Sequence, residues 1–339
     1  MDKPSLDKPS LDKPSLDKPS LDKPSSLWHI AADQSVIKKS ESIPDKSECV
    51  IKSLYSLIST GTERLVASGK VPVGLQEHMQ VPYMEGNFGL PLKYGYSLVG
   101  EVVEGTAELQ GKTVHLMHPH QDVCYVKAAD LCIVPSDIPP VRATLASNME
   151  TALNAVWDSE VSIGDKVLLV GFGIIGSLTA SLLKDIPGVE LSVFDKNQQR
   201  CEMAETMGFR VADAFQPYDI AFHCSGSGEG LQLCIDQVGK EGKVIELSWY
   251  GEQEVRLQLG KSFHYQRKQI ISSQVSQIPV KKQHRWDYQR RKAVVMELLK
   301  NSEYDQYIGA VIAFEKAPEL FDKLKKGELS ELSWAIDYT

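Results

Sequence analysis

One run, Val167-Leu168-Leu169-Val170-Gly171-Phe172-Gly173-Ile174-Ile175-Gly176, constrains this chain more than any other. An apolar strand leads into a G-x-G-x-x-G pattern, and Ile174, Leu178 and Leu182 then recur at helical spacing. The glycine pattern alone is weak; the strand before it and the helix after it are what a dinucleotide site requires. Gly171 permits the tight turn, Gly173 lets backbone approach a pyrophosphate, and Gly176 allows close packing of helix on strand. The helix N-terminus, spanning Phe172, Gly173, Ile174 and Ile175, then offers N–H groups and positive potential to phosphate. Asp195 ends the second strand, Leu191–Phe194, nineteen residues after Gly176. A carboxylate there accepts hydrogen bonds from ribose hydroxyls and repels a 2′-phosphate, so NAD is expected over NADP. Lys196 and Arg200 are the neighbours that would pair with such a phosphate, and the competing reading of Asp195 is a turn residue or helix cap before Asn197.

Strands and helices alternate from Lys166 onward, with helices expected at 174–183 and 198–207 and strands at 191–194, 218–224, 243–247 and 269–273. Such alternation specifies a parallel sheet covered on both faces. Ligands in such sheets lie beyond the carboxyl ends of the strands. Ser225 and Gly226 after the fourth strand are therefore expected to flank the ribose side of the cofactor, and Ser248, Trp249 and Tyr250 after the fifth to lie near the nicotinamide; the competing reading of Trp249 and Tyr250 is interface packing. Before this region, 27–30, 48–58, 97–104, 112–116 and 123–126 are β-rich runs bounded by turn residues. A helix is expected over 142–157. After Pro279 come a basic segment, a helix near 293–300, a strand near 309–314 and a helix over 317–326. The class is α/β: a β-rich domain, 26–149 plus 277–339, interrupted by a doubly wound parallel-sheet domain, 150–276.

Of 339 residues, 2–25 repeat the pentad Asp-Lys-Pro-Ser-Leu, whose prolines block helix and whose single Leu per repeat is too little apolar surface to offset chain entropy. It is read as a tag-like or expanded low-complexity tail, expected to be disordered, rather than a binding arm. The remaining length suits two domains at roughly 150 residues each. Its Asp and Lys cancel, so the net charge of −8 belongs to the body and argues against a nucleic-acid-coating protein. No run approaches a membrane span and the N-terminus has no apolar leader, so a cytoplasmic protein is expected. The six cysteines include no C-x-x-C, which removes a structural zinc lobe and favours buried free thiols.

Two further runs, Ser56-Leu57-Ile58-Ser59-Thr60-Gly61-Thr62-Glu63 and Lys93-Tyr94-Gly95-Tyr96-Ser97-Leu98-Val99-Gly100-Glu101-Val102-Val103, together with the glycine motif, resemble the medium-chain dehydrogenase/reductase (alcohol dehydrogenase-like) family across Leu27–Tyr338. Within it the Ser-x-Gly-Thr-Glu stretch and 117–122 look most like the bacteriochlorophyllide hydroxyethyl dehydrogenase branch. The resemblance implies a GroES-like β domain completed by the C-terminus, an inserted Rossmann domain, a reaction cleft at their junction, and a homodimer or homotetramer. The departures matter more. Where zinc members carry Cys this chain has Ser59 or Thr60, and where they carry Gly-His-Glu it has Gly95-Tyr96-Ser97, so catalytic zinc in the usual place is not expected.

Without a Lewis acid, other groups must stabilise the developing alkoxide and relay a proton. The candidates are Thr60, Glu63, His120 and Glu150, with Thr62, Tyr94, Tyr96 and His118 as further hydroxyls and imidazole; loop-fixing or capping roles compete for each. His120 draws attention because imidazole titrates near working pH. Thr151 is expected to line the cofactor. The basic run 281–292, with interleaved aromatics, can bind nucleic acid, but one short patch on an acidic protein favours a solvated helix start or an anion clamp. The sequence therefore points to a zinc-independent NAD(H) oxidoreductase that interconverts a small-molecule secondary alcohol and a carbonyl, with neither nucleic acid nor membrane as partner. The alternative is a non-catalytic NAD-binding sensor or scaffold of the same fold.

Overall fold

A computed structural model describes residues 23–43, 47–212 and 217–339. The expectation for the pentad repeat falls almost entirely outside that set. Strand structure begins at Ser25, whose N–H donates to the Asp122 carboxylate at 2.8 Å.

Five parallel strands form the central sheet, in the order Glu190–Phe194, Lys166–Val170, Tyr218–His223, Val238–Glu246, Gln269–Ser272. A lone parallel bridge between Val193 and Val211 continues it past the first edge. Both faces are buried, as near-continuous apolar strands demand. Val167, Leu169, Ile220, Phe222 and Ile245 pack with Ala155, Ala180, Leu183 and Ala204 from the helices Ala146–Ser159, Ile174–Lys184 and Gln198–Thr206. Leu168, Val170, Ala221 and Val244, the alternate residues, pack with Leu231, Cys234 and Ile235 of Gly228–Gln237. The chain leaves Lys166–Val170 toward one edge and returns on its other side, so the order reverses at the carboxyl end of that strand, where open α/β sheets bind ligands.

The second body is β-rich. Cys49–Ile58 pairs with Leu98–Glu104 and Val123–Val126, and Leu98–Glu104 with Thr113–Leu116. The C-terminus returns to this sheet: Trp334–Asp337 runs antiparallel to Cys49–Ile58 and carries Ala310–Ala313 beside it. A smaller sheet adds the hairpin Ser25–Ala31/Gln34–Lys39. Among the described residues no helix is long and apolar enough to cross a membrane.

Two elements depart from the sequence patterning, each for its own reason. The helix Thr60–Ala67 begins with Thr-Gly-Thr, poor helix formers, and is held by packing of Val66 and Ala67. Helix Tyr288–Leu298 starts five residues earlier than expected because Asp287 caps it, accepting from the Arg290 N–H at 2.7 Å. That start lies inside the basic run, most of which is used internally. Lys281 pairs with Glu160, Lys282 and Arg290 lie over the Trp286 ring, and Arg291 and Lys292 both reach Glu150.

Arg291 joins the two bodies. Its guanidinium, buried, donates to Glu150 at 3.2 Å, to Asn154 at 3.0 Å and to the Val275 carbonyl at 2.7 Å; Glu150 and Asn154 lie one helical turn apart on one face. Removing one partner of a buried ionic cluster leaves charge uncompensated. Arg291→Met is expected to lower the free energy of unfolding by about 3 kcal/mol in urea titrations, with Lys292 left to hold Glu150 alone.

Candidate active site

The glycine turn lies against the carboxyl ends of two strands. Gly171 has φ +101°, and a Cβ there would sit 2.5 Å from the Ser225 nitrogen; one on Gly176 would sit 2.0 Å from the Gly171 carbonyl oxygen. Both contacts exist only because no side chain is present. Gly173 is the N-cap of Ile174–Lys184 and supplies no side-chain cap, so the first-turn N–H groups of Ile174, Ile175 and Gly176 are left for an anion.

Asp195 folds over this turn. One carboxylate oxygen accepts the Phe172 N–H at 2.7 Å and the other the Asn197 N–H at 2.8 Å, so the same group that would meet a ribose also fixes the loop. Arg200 donates to the Phe172 carbonyl at 2.9 Å and to the Ser330 carbonyl at 3.4 Å, tying the turn to the β-rich body; Lys196 is exposed. Ser248 Oγ accepts the Gly226 N–H at 3.0 Å, which links the turns after the fourth and fifth strands. The next residue, Trp249, packs on a cluster of Val66, Val71, Phe88, Leu92 and Tyr94, against which Tyr96 also packs. A continuous path of contacts thus runs from the glycine turn through Ser225, Gly226, Ser248 and Trp249 to the β-rich body.

On that body Ser59 caps and Thr60 begins the helix Thr60–Ala67, with Thr60 half-buried. Burial, and then the charge of Glu63, push the pKa of the Tyr96 hydroxyl well above the usual phenol value, and the side chains of Ser59 and Thr62 lie beside it. Beneath it lies a chain of buried groups. Glu63 accepts the Ser59 N–H at 2.8 Å and meets His120 Nε2 at 2.8 Å. His120 Nδ1 meets Ser56 Oγ at 2.8 Å, and Ser56 meets the Tyr338 hydroxyl at 2.8 Å. Glu63 is 1% exposed and His120 0%. The structure therefore joins two of the sequence candidates, Glu63 and His120, and places them below the cleft surface.

Glu150 is elsewhere, held by Arg291 and Lys292, while Thr151 bonds back to the Ser147 carbonyl at 3.3 Å. Ser97 bonds with His115 at 3.0 Å and donates to the Thr144 carbonyl. The positions where zinc relatives carry ligands thus hold hydroxyls and committed side chains. Among the described residues no three His, Cys, Asp or Glu side chains converge as a metal site.

Sequence reasoning gave no role to His223 and Glu246. Parallel register sets His223 opposite Glu246. The available signal was a histidine and a glutamate each ending adjacent strands of an otherwise apolar sheet.

A doubly wound parallel-sheet domain joined to a β domain that the C-terminus completes is similar to the arrangement of the alcohol dehydrogenase-like medium-chain dehydrogenases/reductases, and the sequence relatives that the chain resembles carry dehydrogenase names. The relatives are distant: D-guloside 3-dehydrogenase of Shigella flexneri is 22% identical over 251 residues, 67% of this chain and 72% of that one. The 2-desacetyl-2-hydroxyethyl bacteriochlorophyllide A dehydrogenase of Rhodobacter capsulatus is 27% identical over 228 residues, 61% of this chain and 67% of its own. The crystal structure of 2R,3R-butanediol dehydrogenase from Bacillus subtilis superposes with a TM-score of 0.74 at 17% identity, covering 93% of this chain and 99% of that one. No protein-family model matches the chain.

Three buried histidines near this body are held neutral. Burial lowers His29 and His118 to about 3 and His115 well below the ordinary imidazole value. Above an unfolded pKa of about 6.5 neither state binds the proton. As pH falls below that value the unfolded chain takes up protons that the fold refuses, so stability declines toward pH 3, by at most about 1.4 kcal/mol per pH unit and group. Urea unfolding between about pH 7 and pH 4 is expected to show this decline, with a shallower slope in His118→Gln.

Proposed function

We propose that the chain is an NAD(H)-dependent oxidoreductase that interconverts a secondary alcohol and a carbonyl without zinc. The observation that carries the reading is the contact path that joins the glycine turn, through Ser248 and Trp249, to the apolar cluster of the β-rich body on which Tyr96 also packs. The dehydrogenase names of both curated relatives support oxidoreduction at a CH–OH group. Bound NAD supplies the hydride acceptor. Gly171, Phe172, Gly173 and the amides of Ile174, Ile175 and Gly176 hold the pyrophosphate, Asp195 the adenosine ribose, and Ser225, Gly226, Ser248, Trp249 and Thr151 line the nicotinamide end.

Tyr96, kept protonated by burial and by Glu63, is suited to donate a hydrogen bond to the substrate oxygen, with Ser59 and Thr62 beside it. Glu63 and His120 orient that hydroxyl from below. Glu150, occupied by Arg291 and Lys292, holds the junction between the bodies.

NADH titration by fluorescence tests the cofactor. Binding below millimolar is expected, and Asp195→Ala is expected to weaken NADH by about tenfold, ~1.4 kcal/mol, while NADPH loses less. Absence of binding by either nucleotide at millimolar concentration overturns the reading. A panel of sugar and other secondary alcohols tests turnover. Activity unaffected by a chelator, with substoichiometric zinc by elemental analysis, is the expected result. Stoichiometric zinc whose removal abolishes turnover overturns the zinc-free reading, and cofactor binding without turnover on the whole panel makes the protein a nucleotide sensor.

A further inference from the structure

His223 and Glu246 end neighbouring parallel strands at the same level, and the imidazole is completely buried between them and the following turns. His223 Nδ1 lies 2.9 Å from each Glu246 oxygen, and Nε2 lies 2.7 Å from Ser225 Oγ. With Glu246 ionised, the network assigns the Nδ1 proton to the carboxylate and leaves Nε2 to accept from the Ser225 hydroxyl. Glu246 is also fixed from other sides: the Ser248 N–H donates to it at 2.6 Å and the Tyr250 hydroxyl at 3.0 Å. Tyr250 stacks on the imidazole with 16° between the planes. Ser225 is exposed, so this array has a buried base and a surface hydroxyl.

The surrounding helix is shaped for the contact. A Cβ on Gly230 would sit 2.2 Å from Ser225 Oγ and 2.9 Å from His223 Nε2. The Ser225 nitrogen is also the atom against which Gly171 packs, which puts the hydroxyl-bearing residue at the glycine turn. The other titratable groups facing the pair are Tyr250, Cys224 and Cys234. Burial first, and then the negative charge nearby, raises all three, so they remain neutral.

We propose that Ser225, His223 and Glu246 form a proton relay that opens on the cofactor cleft, with Ser225 as the contact group, His223 as the base and Glu246 as its counter-ion. The inference rests on the NAD(H) reading. A hydroxyl in the cleft passes its proton to Ser225 Oγ while Ser225 passes its own to His223 Nε2; only O–H and N–H bonds change, and nothing is oxidised or reduced in the relay. In reverse, an imidazolium proton leaves through Ser225 to water. The oxidised nicotinamide is cationic and the reduced one neutral, so NAD⁺ binding disfavours the protonated imidazole and NADH binding does not.

Proton release on mixing the full chain with saturating NAD⁺, followed by an indicator dye in weak buffer over roughly pH 5 to 8, tests the relay, with NADH fluorescence reporting site occupancy separately. The expected result is pH-dependent release by the wild type on NAD⁺ but not NADH, and its loss in His223→Gln. Ser225→Ala is expected to slow release at least tenfold in stopped flow while keeping its amplitude per bound cofactor, and Ser225→Thr to restore the rate. Unchanged release in a His223→Gln protein that binds NADH overturns the relay and leaves the oxidoreductase reading standing. Failure of the wild type to bind either nicotinamide nucleotide overturns both. Should His223→Gln not fold, imidazole NMR of the wild type decides: His223 resonances that titrate and shift on NAD⁺ addition support the relay, and resonances indifferent to NAD⁺ overturn it.

Discussion

Everything in the candidate site depends on backbone meeting backbone at the glycine turn. Helix Ile174–Lys184 can lie on strand Lys166–Val170 because Gly176 has no Cβ to strike the Gly171 carbonyl, and the next turn can close on it because Gly171 has none to strike Ser225. That compression fixes the direction in which the helix N-terminus points. It also fixes where Asp195 must reach, since its carboxylate accepts the Phe172 N–H of the same turn. One steric constraint therefore sets the phosphate end, the ribose end and the position of Ser225 together.

The consequence is a division of labour between covalent neighbours and distant ones. Interactions inside the turn are local and rigid. Those that attach it to the β-rich body are long-range: Arg200 reaches Ser330, Trp249 reaches the Tyr96 cluster, and Arg291 reaches Glu150 across 141 residues. The buried arginine is costly to desolvate, and its three acceptors offset that cost only while both bodies are in place. This couples the integrity of the junction to a cluster that sequence reading assigned partly to catalysis and partly to a basic patch.

Legibility followed the range of the interaction. The parallel sheet, its glycine turn and helix Ala317–Lys326 could be read because periodicity and spacing are local properties. The helix Thr60–Ala67 could not, because its residues have little helical preference and packing decides the outcome. Glu63 and His120 each appeared among the candidates, but their pairing across 57 residues is a property of the folded β body. His223 and Glu246 were hidden differently: each looked like the polar end of an apolar strand, and only the register of two parallel strands makes them a pair.

The two walls that meet at the cleft repeat one chemical arrangement. On the β body, Tyr96 lies over Glu63, which is held by His120; on the parallel sheet, Ser225 lies over His223, which is held by Glu246. In each case a hydroxyl adjoins an imidazole–carboxylate pair whose imidazole is buried, where low dielectric strengthens the interaction. The order differs. Behind Tyr96 the carboxylate is nearer and keeps the phenol protonated, which favours donation to an oxygen carrying negative charge. Behind Ser225 the imidazole is nearer with an accepting nitrogen, which favours uptake of a proton. A donor on one wall and an acceptor route on the other are the two functions that alkoxide stabilisation and proton transfer require.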